Sequence, residues 1–160
     1  MAADVHEDIA ALTFLLGTWR GEGKGLFPTI DPFMYREELI FEHVGEPYLL
    51  YRQESWDVVT GDPIHFERGF LRPGEDRGEL ELCLAHPLGL TEISHGALDG
   101  TGFSLETDAG GIGRSRTGMD VRSVIRRYRV DGDVLTYELD MATGETPLTR
   151  HLDATLRRSS

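Results

Sequence analysis

The sequence has little cysteine and no long hydrophobic run. Cys83 is the only cysteine among 160 residues, so one chain can form neither an intramolecular disulfide nor a metal cluster built from cysteines. No stretch approaches the 18 consecutive apolar residues of a membrane-spanning helix, and residues 1–8 lack the basic and apolar regions of a signal peptide. We therefore expect a cytoplasmic protein that neither enters a membrane nor carries an export signal.

The chain is also poor in positive charge. It has 16 lysine and arginine residues against 28 aspartate and glutamate residues, which gives a formal net charge of −12 at pH 7. Binding to a polyphosphate backbone depends on cationic side chains that displace counterions, so nucleic acid and anionic membrane surfaces are not expected partners. Nothing in the sequence excludes a homodimer.

Signatures of common enzyme classes are missing as well. The sequence contains no G-x-S-x-G elbow, no P-loop and no dinucleotide-binding glycine motif between a strand and a helix. Close acidic pairs such as Glu37 and Glu38 are interpreted as solvated strand edges. No two of the six histidines have the His-x-x-x-His spacing of a metal site. His6 and His65 are expected to lie away from any cofactor. His86 lies at the end of a predicted strand and is a candidate ligand, although the last predicted strand contains a stronger candidate.

The spacing of apolar residues predicts one short N-terminal helix followed by strands. Residues 7–16 have a spacing closer to helical than to alternating, and the pattern stops at Gly17. Beyond it, short apolar or alternating runs are separated by glycine, proline and aspartate, which is typical of an all-β sandwich or barrel. The predicted strands are Thr18–Gly25, Tyr35–Val44, Tyr48–Val58, Ile64–Pro73, Gly78–His86, Leu90–Leu98, Gly102–Thr107, Ser123–Val130, Val134–Asp140 and His151–Arg157.

Two connections between these strands have a clear character. The dipeptide Asp131-Gly132 predicts a two-residue turn that makes its flanking strands antiparallel neighbours. Residues 108–118 are rich in glycine and serine without an apolar period, which predicts a long mobile loop. We find no internal repeat or dividing linker, so residues 1–160 are expected to form one domain. A closed barrel of ten strands encloses space that its side chains do not fill, and it usually holds a ligand.

A glycine-rich motif opens the first predicted strand. Gly17, Trp19, Gly21 and Gly23 occupy alternate positions in a G-x-W-x-G-x-G pattern. Alternate residues of a strand share one face, so the glycines leave bare backbone for the close approach of another segment, and Trp19 can fill the barrel floor. We interpret the motif as a structural closure device, which many lipocalin-like and fatty-acid-binding-protein-like barrels share.

The residues that follow resemble a known family. Residues 27–38 read FPTIDPFMYREE, residues 43–47 read HVGEP, residues 84–93 read LAHPLGLTEI and residues 147–156 read PLTRHLDATL. Together with the glycine motif, these stretches are similar to the nitrobindins over nearly the whole chain. Only the stretch from Gly110 to Asp120 matches the family poorly.

The resemblance implies a ten-stranded closed barrel that binds one haem b per chain through a single histidine on the last strand. His151 matches that histidine, so it would be both the iron ligand and the residue on which catalysis depends. Thr29 matches a threonine that contacts the haem. The family also implies a ferric haem that binds nitric oxide and converts peroxynitrite to nitrate, which makes small molecules the expected partners.

The pattern of the last strand argues against an inward-facing His151. In a regular strand His151 shares a face with Asp153 and Thr155, and alternation alone would direct the neighbouring leucines inward and the histidine to solvent. A bulge near the start of the strand would reconcile the pattern with the family, as would a semi-polar cavity.

Two other functions suit a barrel of this kind. A carrier of fatty acids or other apolar molecules would be favoured by a buried arginine pair, drawn from Arg126, Arg127 or Arg129, that clamps a carboxylate. A sensor, in which binding of haem or nitric oxide changes a surface read by a partner, is the second alternative.

Overall fold

The computed structural model describes residues 2–159 as a closed barrel of ten antiparallel strands with one 3₁₀ helix before it. Each strand pairs with its neighbours in sequence, and the first pairs with the last. The helix is Glu7–Leu15, and the strands are β1 Gly17–Phe27, β2 Ile30–His43, β3 Leu49–Asp57, β4 Pro63–Pro73, β5 Glu79–His86, β6 Leu90–Asp99, β7 Gly102–Arg114, β8 Val121–Asp131, β9 Val134–Thr143 and β10 Thr149–Arg158. The predicted fold class is confirmed. Within residues 2–159, no helix has the length and apolar character needed to cross a membrane.

The 3₁₀ helix closes one end of the barrel. Its residues Ile9, Leu12 and Leu15 are buried, and the indole N–H of Trp19 donates to the carbonyl oxygen of Leu15 at 2.8 Å. The guanidinium of Arg158, at the end of β10, lies 4.2 Å from the centre of the Trp19 ring, within the range of a cation–π contact. The first and last strands are therefore both fastened to this end, and side chains fill it.

Glycines in β1 allow neighbouring groups to approach its backbone closely. A Cβ atom added to Gly21 would lie 2.2 Å from the carbonyl oxygen of Thr155 in β10. A Cβ atom at Gly23 would lie 2.2 Å from the ring of Tyr35 in β2. Both distances are far below van der Waals contact, so these positions require glycine for the barrel to close with its present packing.

The prediction of a mobile loop over residues 108–118 is wrong for residues 108–114, which continue β7. Residues 112–114 pair with β6, and residues 108–111 form the bulge at which the two strands shift register, with Gly110 at a φ of +83°. At Gly113 the absence of a side chain lets Thr91 approach, since an added Cβ would lie 2.3 Å from its Oγ1. The glycines therefore permit a bulged strand rather than a mobile connection.

The predicted antiparallel pairing of the strands on either side of Asp131-Gly132 is confirmed, but the two turn residues are Gly132 and Asp133. β8 and β9 pair from Asp131 opposite Val134, so Asp131 belongs to β8, and of the two turn residues only Gly132 has a positive φ, of +58°. The strands are mostly longer than predicted, because pairing with a neighbour extends them beyond the locally patterned residues. β2, for example, begins at Ile30 rather than at Tyr35.

Replacing Gly21 by alanine tests the close approach of β1 and β10. We expect Gly21→Ala to lower the free energy of unfolding by about 1–3 kcal/mol, the usual cost of overpacking, because the backbone of Thr155 has no room to retreat. Urea unfolding followed by circular dichroism should show a lower urea concentration at half unfolding. The dependence of the unfolding free energy on urea concentration should be unchanged. Lys24→Ala, on the exposed face of the same strand, is the control, and equal midpoints for the two variants would contradict the packing argument.

Candidate functional site

A cavity of about 500 Å³ lies inside the barrel towards the end opposite the helix. That volume is within the range of about 300–1,000 Å³ found for small-molecule sites. The turns at this end contribute to its lining, including Thr29, Leu88 and Met119. Much of the wall is apolar, with side chains from several strands, among them Phe33, Leu90, Val121, Val124, Leu139 and Met141.

His151 lines this cavity because β10 is bulged at that residue. Arg150 pairs with Asp140 of β9 and Leu152 pairs with the next residue along, Leu139, so His151 has no partner of its own. An extra residue in a strand reverses the alternation of side chains. As a result His151 and Leu152, which are adjacent in sequence, both line the cavity. This bulge resolves the conflict between the alternating pattern and an inward histidine.

The surroundings of His151 fix which of its nitrogens can bind a ligand. Nδ1 lies 2.8 Å from the backbone carbonyl oxygen of Leu26, which can only accept a hydrogen bond, so Nδ1 carries the proton. The ring of Phe27 packs against the imidazole edge to face, at 5.3 Å between ring centres. Burial lowers the pKa of His151, so the ring is neutral at neutral pH. Nε2 therefore presents a lone pair.

This arrangement fits a cofactor that needs one protein ligand. A haem takes a single axial histidine because the porphyrin provides four ligands, and such histidines usually donate their other N–H to a carbonyl or carboxylate. The bond from His151 to Leu26 is of that kind. Thr29 lies in the turn between β1 and β2, where it is exposed and lines the same cavity.

A buried ionic network crosses the barrel next to the cavity. Arg126 of β8 donates from Nε to Glu92 at 2.8 Å and from Nη1 to Glu67 at 2.7 Å, and all three side chains are at most 5% exposed. Burial by itself raises the pKa of each carboxyl, but the guanidinium holds the pKa of both below the usual range. Two internal carboxylates thus already neutralise Arg126.

The arginine clamp expected for a fatty-acid carrier is not formed within residues 2–159. Arg126 is buried but paired internally, Arg127 pairs with Asp140 at 3.0 Å on a half-buried surface, and Arg129 is exposed. A carboxylate entering the cavity would have to displace an existing carboxylate from Arg126. The observed pairing therefore does not favour the carrier.

Glu37 was expected at a solvated strand edge, and this expectation is wrong. Its side chain is buried and lines the cavity, where its Oε2 accepts a hydrogen bond from the hydroxyl of Tyr137 at 2.5 Å. That hydroxyl lies 2.7 Å from the hydroxyl of Tyr35. Burial raises the pKa of Glu37 to about 8, so the carboxyl is largely protonated at neutral pH. The signal in the sequence was its alternation with Tyr35 and Leu39, which share its face of β2.

His86, the second candidate ligand, also lines the cavity, but both of its nitrogens have neighbours. Nε2 lies 3.1 Å from Oε1 of Glu92, and Nδ1 lies 3.2 Å from Nε2 of His65. His65, expected to lie away from any cofactor, lines the cavity as well. Sequence spacing did not show this pairing, because the two histidines are 21 residues apart on adjacent strands.

Comparison with known proteins gives one consistent family. Residues 8–158 match the family described as "THAP4-like, heme-binding beta-barrel domain". The peroxynitrite isomerase 2 of Mycobacterium marinum is 46% identical over 162 residues, which cover 100% of both chains. The peroxynitrite isomerase of Nocardia farcinica is 49% identical, covering 96% of this chain and 92% of the relative.

Solved structures agree with the fold. The crystal structure of Rv2717c from M. tuberculosis has a TM-score of 0.90 at 43% identity and covers 98% of this chain and 100% of that one. The S-type phycobiliprotein lyase CPES of Guillardia theta has a TM-score of 0.62 at 10% identity, covering 92% of this chain and 89% of the lyase. The second likeness concerns the fold alone.

The raised pKa of Glu37 predicts a stability that falls as the pH rises. A carboxyl with an ordinary pKa of 4.5 and a folded pKa of about 8 stays protonated in the folded state while it ionises in the unfolded chain. The contribution of Glu37 to the free energy of unfolding is fully present below about pH 4.5. It declines by up to about 1.4 kcal/mol per pH unit towards pH 8. We expect Glu37→Gln to remove this decline.

Urea unfolding at pH 5, 6.5 and 8 gives the free energy of unfolding of the wild-type chain and of Glu37→Gln. The difference between the two values should change with pH. Glu42→Gln, on the exposed face of the same strand, is the control and should follow the wild type. Parallel pH profiles for the wild type and Glu37→Gln would show that Glu37 does not titrate in this range.

Proposed function

The chain belongs to the family of THAP4-like, heme-binding β-barrel domains, and from this membership we infer that it is a haem-dependent peroxynitrite isomerase. Full-length relatives at 44–49% identity carry that name. We propose that the cofactor is haem b, bound at one per chain, and that nitric oxide is a second small-molecule ligand. The single cysteine is consistent with a reducing compartment, and we propose a cytoplasmic location.

One observation carries the assignment of the ligand: His151 has a single tautomer fixed by Leu26 and lines the cavity with Nε2 available. The bulge in β10 supplies the orientation, and the lowered pKa keeps the imidazole in its neutral, ligating form. We propose that Thr29, at the cavity mouth, contacts the bound haem.

The chain's own residues hold, orient and enclose the reacting group. When bound, haem supplies the iron chemistry that rearranges peroxynitrite to nitrate. His151 would hold the iron through Nε2, and the hydrogen bond from its Nδ1–H to the carbonyl oxygen of Leu26 keeps the ring from rotating. The apolar wall, with Val124, Leu139 and Met141, would limit the access of water to an anion bound in the cavity.

Replacing His151 by alanine tests the ligand assignment. Titration of the purified chain with hemin should give a Soret band that saturates at one haem per chain, and His151→Ala should lose or shift that band. The rate of peroxynitrite conversion to nitrate should fall in parallel. His95→Ala, at a half-exposed histidine outside the cavity lining, is the control. A His151→Ala variant with the wild-type spectrum and full activity would overturn the assignment.

Replacing Thr29 by valine tests the proposed contact at the mouth. If the hydroxyl donates to the bound haem, Thr29→Val should weaken haem binding by about 0.5–1.5 kcal/mol, the usual net value of one hydrogen bond. The Soret titration measures this as a weaker dissociation constant with an unchanged band position, since His151 still binds the iron. An unchanged affinity would remove Thr29 from the haem site.

A further inference from the structure

Three potential metal-ligating atoms meet at one point of the cavity wall, apart from His151. His65 and Glu67 are alternate residues of β4, and His86 is the last residue of the neighbouring β5. Nε2 of His65 lies 3.1 Å from Oε2 of Glu67 and 3.2 Å from Nδ1 of His86, and that Nδ1 lies 3.2 Å from the same Oε2. The three atoms form a nearly equilateral triangle.

The size of the triangle matches one face of a metal coordination shell. Zinc binds histidine nitrogen and carboxylate oxygen at about 2.0–2.1 Å in tetrahedral geometry, so two ligand atoms on one ion lie about 3.3–3.4 Å apart. The three observed separations are 3.1, 3.2 and 3.2 Å, which a small outward movement would bring to that value.

Neighbouring side chains contact the atoms of His86 and Glu67 that do not face the triangle. Metal ligands in known sites are oriented in the same way. The other nitrogen of His86, Nε2, lies 3.1 Å from Oε1 of Glu92, a carboxylate–histidine arrangement that leaves Nδ1 for an ion. The other oxygen of Glu67, Oε1, accepts from the hydroxyl of Tyr51 at 2.6 Å and from Arg126 at 2.7 Å. Oε2 of Glu67 also accepts a hydrogen bond from Nη2 of Arg126 at 3.1 Å.

Hydrogen bonds alone do not satisfy all three atoms of the triangle, because there are too few protons between them. If the proton of His86 is on Nε2, where Glu92 accepts it, then Nδ1 of His86 and Oε2 of Glu67 are two acceptors 3.2 Å apart. A proton on Nε2 of His65 can then be donated to Oε2 of Glu67 or to Nδ1 of His86, but not fully to both. A cation at the centre satisfies all three lone pairs together. The two buried carboxylates, against the single guanidinium of Arg126, leave one negative charge for it.

We propose that His65, Glu67 and His86 form a site for one first-row divalent metal ion, with zinc as the best fit. Two imidazoles and a carboxylate are the ligand set of catalytic zinc sites, which keep a further position open. All three residues line the cavity, so that open position faces the space in which the proposed cofactor and substrate bind. The site uses none of the contacts of His151 and goes beyond the proposed function.

Metal titration of the tag-free chain of residues 1–160 tests this proposal. After treatment with a chelator, the chain should bind one Zn²⁺ in competition with a chromophoric chelator. Co²⁺ should give the intense visible bands of a four-coordinate ion. His65→Gln and His86→Gln should each lose stoichiometric binding. Glu92→Gln should weaken Zn²⁺ binding by about 10–100-fold, as outer-shell changes usually do.

Two control variants separate this site from other histidines. His95 also lies between two carboxylates, Glu81 and Asp108, but on the outer surface, so His95→Gln should bind Zn²⁺ as the wild type does. His151→Ala should also retain Zn²⁺, which distinguishes this site from the proposed haem ligand. Far-UV circular dichroism checks that each variant is folded.

Three results would overturn the proposal. The first is a wild-type chain that retains no Zn²⁺ in the competition, which would mean that hydrogen bonds alone hold the cluster together. The second is stoichiometric binding that survives in folded His65→Gln and His86→Gln. The third is binding that is lost in His95→Gln or His151→Ala, which would place the ion elsewhere.

Discussion

The pairing of β1 with β10 is the constraint on which the rest of the structure depends. It closes the sheet, so every inward side chain must either pack against others or border a cavity. The same pairing places Gly25 opposite Leu152, which brings the carbonyl of Leu26 to the bulged His151. The contact that closes the barrel therefore also orients the residue proposed to bind the cofactor. Glycine at position 21 permits that pairing at its observed spacing.

The interior is divided into regions of different chemistry. One end is filled by the helix and Trp19, whereas the cavity end combines apolar walls with a network around Arg126. Burying an ion pair is costly, and apolar residues of similar size often give equal or greater stability. The Arg126 network is therefore better explained by what it holds in place than by stability alone. It fixes Glu67 and Glu92, which in turn fix His86.

Much of the fold could be predicted because it depends on local signals. Alternating runs indicated ten strands, and Asp131-Gly132 indicated that β8 and β9 are antiparallel neighbours, since each signal needs only a few adjacent residues. Alternation along a strand can indicate that Glu37 or Arg126 points inward, but it does not show which polar side chains the buried groups contact. Their partners lie on strands far away in sequence. The glycine-rich part of β7 was missed for a related reason, since its pairing with β6 and not its composition makes it a strand.

The protonated state of Glu37 also affects which ligands the cavity accepts. The chain carries a net charge of −12, and an approaching anion meets repulsion from the outer surface that salt screens within about 8 Å. Inside the barrel the screening is weaker, so each internal charge has more influence on an anion than a surface charge does. A neutral Glu37 removes one such charge from the cavity wall. As the solution becomes alkaline that charge returns, and it disfavours the entry of an anion into the cavity.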